Sequence, residues 1–329
     1  MKKYLALLLA LVMVFALCAC GSKNETPAPA EGSGEAAAPE AGGDLTFATG
    51  GESGTYYAFG TVLAQHVSDK TDTKVTAIAG NGSQANVEDL ASGAVQLAFC
   101  QSDVAAYAYN GTNLFEESGA VKDFSVVAAL YMEQVQIVTL DESIKTVADL
   151  KGKNVSIGAV GSGTYFNALD LLGVYGLTEA DIVPVYQSFA DSADSLKDGK
   201  IDAAFIVAGA PTTAITDLAT GGKQVYLVGL DDEHVSALME SSPYYAKNVI
   251  SADTYGLPED VNTVAVGALV LARNDVADAD VYNFVSSIFD NIDEVTQAHA
   301  KGAELDPAFA FSVEGIPYHP GAVQYFEGK

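Results

Sequence analysis

The sequence repeats part of itself, and this repeat restricts the fold more than any other feature. The string SGTYY, which begins at Ser53, recurs as SGTYF at Ser162, 162 − 53 = 109 residues later. A second pair of strings, LASGAVQLAF from Leu90 and LKDGKIDAAF from Leu196, has the similar offset of 196 − 90 = 106 residues. Each SGTY string follows an apolar stretch and precedes a helical pattern. The sequence therefore predicts two half-units of similar construction.

Strands alternate with helices in each half-unit, which is typical of parallel sheets with right-handed crossovers. Two apolar runs rich in β-branched residues, 135–140 and 264–272, are predicted to cross between the halves. We therefore expect an α/β fold in which two doubly wound lobes are joined by two crossing strands. The last part of the chain predicts one long helix over 281–299 and a loop-like tail over 307–329.

The predicted boundaries follow from these elements. The first lobe is expected to contain residues 44–134 and 265–329, and the second lobe residues 135–264. The apolar segment LAFCQSD places Cys100 at the end of a strand, where a small buried apolar role is more typical than a nucleophilic one. Cys100 would be the only thiol left after processing and lipidation of the N-terminus, so no disulfide within the chain is expected.

The N-terminus resembles a bacterial lipoprotein signal. Lys2 and Lys3 precede an apolar run over 4–16, and Leu-Cys-Ala-Cys-Gly-Ser ends the segment. We expect residues 1–19 to be cleaved, Cys20 to be lipidated, and the domain to be anchored to the outer face of the cytoplasmic membrane. An ordinary signal peptide, cut after a small residue, is the alternative. Residues 20–43 contain no aromatic or branched aliphatic side chain and predict a flexible tether.

Charge excludes two classes of partner. The chain has 43 acidic and 16 basic residues and a net charge of −27. Binding to nucleic acid or to an anionic membrane surface needs clustered Lys and Arg, which this composition does not supply. If the ligand is an anion, its site must overcome the field of the whole protein locally.

The two SGTY turns are the strongest candidates for such a site. A glycine-rich turn that leads into a helix leaves backbone N–H groups free to bind an anion, and the helix dipole adds partial positive charge. The alternative is that these turns only cap helices. Further candidate loops follow other predicted strands. The predicted ligand-binding residues are Gly51, Ser53, Gly54, Thr55, Tyr56, Tyr57, Asn81, Gly82, Ser83, Gln101, Ser102, Asp103, Gly161, Ser162, Gly163, Thr164, Tyr165, Ala208, Gly209 and Pro211.

Four residues in these loops have roles that their positions suggest. Ser83 is expected to cap the helix that follows it, and Pro211 to begin the first turn of another helix. Ser102 and Asp103 either line the cleft or cap the next helix.

The four histidines are scattered, and no HExxH, GxSxG or nucleotide-binding motif occurs. We therefore expect no catalytic residues, no metal and no cofactor.

The duplicated segments resemble the TAXI family of solute-binding proteins, the extracytoplasmic receptors of TRAP transporters. The resemblance extends from residue 45 to about 325 and includes ATGGESGTYYAFG, NGSQANVEDLASGAVQLAFCQSD, GAVGSGTYF and LKDGKIDAAFIVAGAP. It implies a type II periplasmic-binding-protein fold and a monomer that delivers its solute to a TRAP-type permease. The implied solute is a glutamate- or glutamine-like amino acid or a dicarboxylate such as 2-oxoglutarate. Glu52 is a departure from this pattern, because it places an acidic side chain within the first of the two turns that are predicted to bind an anion.

Other functions stay open. The first alternative is a substrate-binding lipoprotein of an ABC importer, with a sulfonate or a pyrimidine-like ligand. A secreted enzyme that uses cleft carboxylates and a purely structural surface antigen are alternatives from different classes.

Overall fold

The computed structural model of the protein describes residues 42–329, except for the side chain of Leu114. The predicted signal peptide over 1–19, the lipidation site Cys20 and all but the last two residues of the tether over 20–43 lie outside the described residues. Within the described range, no helix has both the length and the apolar character needed to cross a membrane.

The described chain alternates strands with helices. The strands are β1 Asp44–Ala48, β2 Lys74–Ile78, β3 Leu97–Gln101, β4 Phe124–Thr139, β5 Asn154–Ser156, β6 Val183–Val185, β7 Ala203–Ala208, β8 Tyr226–Leu227, β9 Ala246–Ile250 and β10 Val261–Arg273. The α-helices are α1 Thr55–Lys70, α2 Ser83–Ser92, α3 Ser102–Asn110, α4 Gly163–Val174, α5 Phe189–Lys197, α6 Thr213–Thr220, α7 Asp232–Ser241, α8 Asp278–Phe289, α9 Ile292–Ala298, α10 Pro307–Ala310 and α11 Pro320–Glu327.

The two half-units have the same topology, which confirms the predicted fold class. In the first, β1 pairs in parallel with β2 and β3, and β3 pairs antiparallel with β10. In the second, β5 pairs in parallel with β6 and β7, and β7 pairs antiparallel with β4. The continuous sheet order is β2-β1-β3-β10-β4-β7-β5-β6. Two doubly wound lobes are therefore joined by two crossing strands, β4 and β10.

The repeated LASGAVQLAF and LKDGKIDAAF segments adopt the same local structure. In the first, α2 ends at Gly93 with φ +80°, and in the second Gly199 follows α5 with φ +68°. Glycine adopts this left-handed backbone without strain, so it ends a helix and directs the chain into the next strand. That strand is β3 in one lobe and β7 in the other, and both are buried along their length, as expected for strands covered on both faces. Cys100 on β3 is buried and free, as predicted.

Each lobe has its own apolar cores. In the first lobe the buried clusters include Phe47, Phe59 and Phe284, and in the second they include Leu171 and Phe205. Among the described buried residues, the first set draws on residues 45–131 and 268–325 and the second on residues 135–266, with one exception that joins the lobes. The partly buried Tyr244 of the second lobe also packs against a cluster of the first. The lobe boundaries given above stay a prediction.

The exception is Phe166 on α4 of the second lobe. Its buried side chain packs in a cluster of the first lobe, where its ring stacks with Tyr107 and with Phe115 at centroid distances of 6.1 Å. The two lobes are thus in direct contact, and the structure is a closed form.

The prediction of one helix over 281–299 is wrong, because the chain forms α8 and α9 with a break at Asp290 and Asn291. The Asn291 side chain donates from Nδ2 to the carbonyl oxygen of Ser287 at 2.7 Å, and this local bond replaces the helical pattern. The prediction of a loop-like tail is also wrong. Pro307 and Pro320 begin α10 and α11, since proline fits the first helical turn.

Asn86 holds the start of α2 against the strands that lead to the cleft. Its Nδ2 donates at 2.8 Å to the carbonyl oxygens of Thr49, just after β1, and Phe99, in β3. We predict that Asn86→Ala lowers the free energy of unfolding by about 1–3 kcal/mol, because both carbonyls are left buried without a donor. Denaturant unfolding measures this change. The exposed Glu88→Ala on the same helix serves as control and should change it by less than about 0.5 kcal/mol; equal effects would contradict the prediction.

Candidate ligand-binding cavity

A cavity of about 150 Å³ lies between the two lobes. Its walls come from the loops that follow β1, β2, β5 and β6 and from the last residues of β3 and β7, so the carboxyl ends of six strands meet there. This edge is where ligands bind in parallel α/β sheets. The lining residues are Gly50, Gly51, Gly54, Thr55, Tyr56, Gly80, Asn81, Gly82, Ser83, Gln101, Glu133, Ala159, Ser162, Gly163, Thr164, Ser188, Phe189, Val207 and Ala208.

The N-caps of five helices lie in this wall, namely Gly54 of α1, Gly82 of α2, Gln101 of α3, Ser162 of α4 and Ser188 of α5. Among them, the Ser188 side chain caps its own helix by accepting from Asp191 N, whereas the N-caps of α1, α2 and α4 make no such bond. In α2, Ala85 N is already bonded to the Gly161 carbonyl oxygen, so the other first-turn N–H groups of α1, α2 and α4 are the candidates to bind a ligand. The dipoles of these helices present partial positive charge to the cavity. Among the described residues that line it, none is Lys, Arg or His. Positive potential at the lining comes from the backbone and from the buried Lys301 ammonium behind it, which also acts on Glu133.

The lobes touch around the cavity through residues that admit no larger side chain. A Cβ atom on Gly163 of the second lobe would lie 1.9 Å from Gln101 Oε1 and 2.8 Å from Ser83 Oγ of the first. Nearby, Ala85 N donates to the Gly161 carbonyl oxygen at 3.0 Å, and Thr55 Oγ1 donates to the Gly209 carbonyl oxygen at 2.9 Å. Backbone and short polar groups thus seal the cleft.

Two polar atoms at this contact are left without partners. Gln101 Oε1 and Ser162 Oγ are buried and make no hydrogen bond to any described residue of the chain. Buried polar groups in native proteins are usually paired, so these two atoms in the cavity wall are free to pair with a bound ligand. Gln101 Oε1 accepts a hydrogen bond, and the Ser162 hydroxyl both donates and accepts.

Glu133 is an acidic group in the wall that sequence reasoning missed. It lies on β4, is only 2% exposed, and accepts a hydrogen bond of 2.6 Å at Oε2 from the Tyr56 hydroxyl. Burial raises the pKa of Glu133 to about 8, while the bond from Tyr56 opposes the rise. The carboxyl is therefore mostly protonated at neutral pH and presents an O–H donor. The sequence feature that could have identified Glu133 is a single acidic residue within the mainly apolar run YMEQVQIV.

Of the twenty predicted ligand-binding residues, twelve line the cavity and eight do not. Those that line it are Gly51, Gly54, Thr55, Tyr56, Asn81, Gly82, Ser83, Gln101, Ser162, Gly163, Thr164 and Ala208. Those that lie outside its walls are Ser53, Tyr57, Ser102, Asp103, Gly161, Tyr165, Gly209 and Pro211. Besides Glu133, the lining includes Gly50, Gly80, Ala159, Ser188, Phe189 and Val207, which the sequence did not single out.

The residues outside the wall have other contacts. Ser102 Oγ accepts from Gly267 N at 3.0 Å, and the Tyr165 hydroxyl donates to Glu179 at 2.9 Å. Asp103 bonds to Asn167 across the lobes. Glu52 is exposed and outside the lining, so its carboxylate does not oppose an anion in the cavity.

Two predicted helix starts are wrong. Gly82 is the N-cap of α2, and Ser83 instead accepts a hydrogen bond of 3.0 Å at Oγ from Gln101 N, which ties the helix to the end of β3. Pro211 precedes the N-cap Thr212 of α6 and is not part of its first turn.

The chain was compared with known families and structures. The model of the NMT1-like family matches residues 47–329. Among solved structures, the ligand-binding component of an ABC-type import system from Staphylococcus aureus, with zinc bound, is 13% identical with a TM-score of 0.50, over 86% of this chain and 89% of that one. The aliphatic sulphonate-binding protein SsuA from Escherichia coli is 20% identical with a TM-score of 0.45, over 80% and 79%. At these identities the likeness shows the fold alone.

These findings correct the family suggested by the sequence motifs. The matching family is NMT1-like and covers nearly all of the folded chain, so the assignment to the TAXI family, and with it the TRAP-type permease, is wrong. The motifs that suggested it are glycine-rich turns and strand ends.

Gly163→Val tests the site. The new side chain collides with Gln101 and Ser83, so the lobes must part or the buried Gln101 must swing into the cavity, and either change removes the binding space. We expect a folded variant that retains no metabolite in native mass spectrometry, whereas wild-type protein retains one. Gly173→Val on the same helix is the control, since a Cβ there meets nothing within 4 Å. Equal retention by all three proteins would rule out this site.

Proposed function

The chain belongs to the NMT1-like family, and we propose that this member is an extracytoplasmic receptor that binds a small organic anion between its lobes and delivers it to a membrane importer. The observation that carries the proposal is the closed cavity onto which α1, α2 and α4 direct uncapped N-termini. Such an arrangement selects a ligand by charge and holds it by enclosure.

An anion is the charge type that this wall favours. Each helix N-terminus offers N–H donors and a partial positive charge, and each such contact stabilises an anion by about 0.3–1 kcal/mol, more in buried geometry. A cationic ligand would face the same dipoles with the wrong sign. The net charge of −27 does not prevent anion binding, because the local donors act at contact distance while the distant carboxylates are screened by solvent.

The remaining polar groups restrict the rest of the ligand. Gln101 Oε1 needs a donor, the Ser162 hydroxyl takes either role, and the protonated Glu133 needs an acceptor. Phe189 and Val207 supply apolar wall. We therefore propose a carboxylate or sulfonate with at least one further polar group. The volume of about 150 Å³ fits a ligand of on the order of six to ten non-hydrogen atoms.

The importer is proposed to be of the ABC type. The fold is that of the ligand-binding component of an ABC-type import system, and this likeness supports the choice at the level of fold analogy. The lipobox-like segment around Cys20 supports anchoring to the outer face of the cytoplasmic membrane, with residues 20–43 as the tether. Uptake by the reconstituted importer should then require ATP.

A receptor and an enzyme predict different fates for the bound molecule. A receptor releases its ligand chemically unchanged, whereas an enzyme would convert it. We propose the receptor, because the one acid in the wall is bonded to Tyr56 and the sequence supplies no nucleophile motif beside it. Mass spectrometry of the retained metabolite before and after release tests this point, and a changed mass would favour the enzyme. A structural surface antigen predicts no thermal shift with any member of a carboxylate and sulfonate library.

Glu133 predicts how affinity changes with pH. An anion binds beside the protonated carboxyl better than beside the carboxylate, so affinity for the retained metabolite should fall by up to about tenfold per unit as pH rises above about 8. Calorimetry on Glu133→Gln, which stays neutral, should show no such fall. The exposed Glu52→Gln is the control and should keep the wild-type profile. Affinity that rises with pH in the wild type would contradict the assigned role.

A further inference from the structure

A polar pair joins the lobes outside the cavity wall. Asp103 lies in the first turn of α3 in the first lobe, and Asn167 lies on α4 in the second. Both side chains are fully buried, and Asn167 Nδ2 donates to Asp103 Oδ2 at 2.8 Å. The pair exists only while the lobes are closed.

The orientation of the Asn167 amide is fixed by its second partner. Asn167 Nδ2 also donates to the Tyr245 hydroxyl at 2.8 Å, and this hydroxyl uses its own proton to donate to Asp170 Oδ2 at 2.9 Å. The Tyr245 oxygen can therefore only accept from Asn167, so the nitrogen of the amide must face it.

Each member of the pair then has one oxygen left over. Asp103 Oδ1 and Asn167 Oδ1 are buried and make no hydrogen bond within the part of the chain that the structure describes. An ionised Asp103 offers only acceptors, so both oxygens stay unsatisfied. A proton on the buried Asp103 carboxyl removes its charge and supplies a donor beside the unpaired oxygens.

We propose that closing of the lobes binds a proton at the Asp103–Asn167 pair, and that solute retention is thereby coupled to pH. The coupling to solute rests on the proposed receptor function, whereas the proton site itself does not. A proton that binds the closed form more tightly than the open form must shift the equilibrium toward closure.

Several titratable groups face Asp103. Asp170 faces it from α4 and Glu133 from β4, Cys100 lies beside it on β3, and Tyr107 and Tyr245 face it from α3 and from the segment after α7. Burial raises the pKa of Asp103 to about 7, and repulsion from Asp170 adds to the rise, while hydrogen bonds from Val104 N and Asn167 oppose it.

The sign of the pH dependence follows. When the lobes part, Asp103 is hydrated and its pKa returns toward the ordinary value of about 3.9. The closed-state pKa is the higher one, so the contribution of the proton to closure is complete below about pH 4 and is lost as pH rises toward about 7. The closing equilibrium should weaken by up to about tenfold per pH unit within that window and should level off above it.

Asp103→Asn is the direct test, because an asparagine has the shape and the donor of the protonated acid without titrating. Small-angle X-ray scattering of metabolite-free protein, with the proton as the only added ligand, measures the radius of gyration across about pH 4 to pH 8. We expect wild-type protein to expand as pH rises and Asp103→Asn to stay compact throughout. An Asp103→Asn variant that expands as the wild type does, or a wild type that does not respond to pH, would overturn the proposal.

Two further variants separate the proton site from loss of folding. Asn167→Ala removes a hydrogen bond that opposes the rise in the Asp103 pKa, so the transition should move to higher pH while circular dichroism reports a folded protein. Asp170→Asn removes the neighbouring charge but leaves the pair, so the transition should persist at lower pH. An unchanged transition in both variants would assign the proton elsewhere. These measurements contain no solute, so a negative result does not contradict the receptor function. A negative result for solute binding likewise does not contradict the proton site.

Discussion

The cavity depends on one structural constraint. The carboxyl ends of strands from two similar half-units face each other, and glycine lies at the points of contact. Parallel strands place their following helices with the N-termini toward the same edge, so two such edges brought together direct α1, α2 and α4 at a shared space. The approach is close because Gly163 has no side chain where Gln101 and Ser83 of the other lobe lie. Contact between the lobes and the proposed anion recognition therefore share one structural origin.

The proposed anion site has no basic side chain in its described lining, although the protein is heavily acidic. The charges that repel a negative ligand lie on solvated surfaces, where water and salt screen them. The groups that attract it are backbone dipoles inside the closed cleft, where screening is weak. Two of the buried acids, Glu133 in the wall and Asp103 between the lobes, have pKa values that burial raises to about 8 and about 7. The interior is thus less negative than the composition implies.

Much of the fold could be predicted from the sequence, since the duplication at Ser53 and Ser162 specifies two half-units and glycines mark the helix ends. The crossing strands were predicted too short, because Glu133 and neighbouring glutamines interrupt the apolar run of β4 that the structure continues through. The same polar interruption hid Glu133 as a wall residue. Tyr165 was expected in the site from its place in the repeat, yet its hydroxyl bonds to Glu179, a partner that only tertiary structure brings near. The assignment to the TAXI family was wrong, because the model that matches residues 47–329 is that of the NMT1-like family.

A crystal structure of the protein with its retained metabolite tests the central claim most directly. The account predicts the anionic group of the guest within hydrogen-bond distance of first-turn N–H groups of α1 and α4, at Thr55 and Gly163, with a further polar group against Gln101 Oε1. A guest bound outside the interlobe cavity, or one whose charged group points away from both helices, would contradict it.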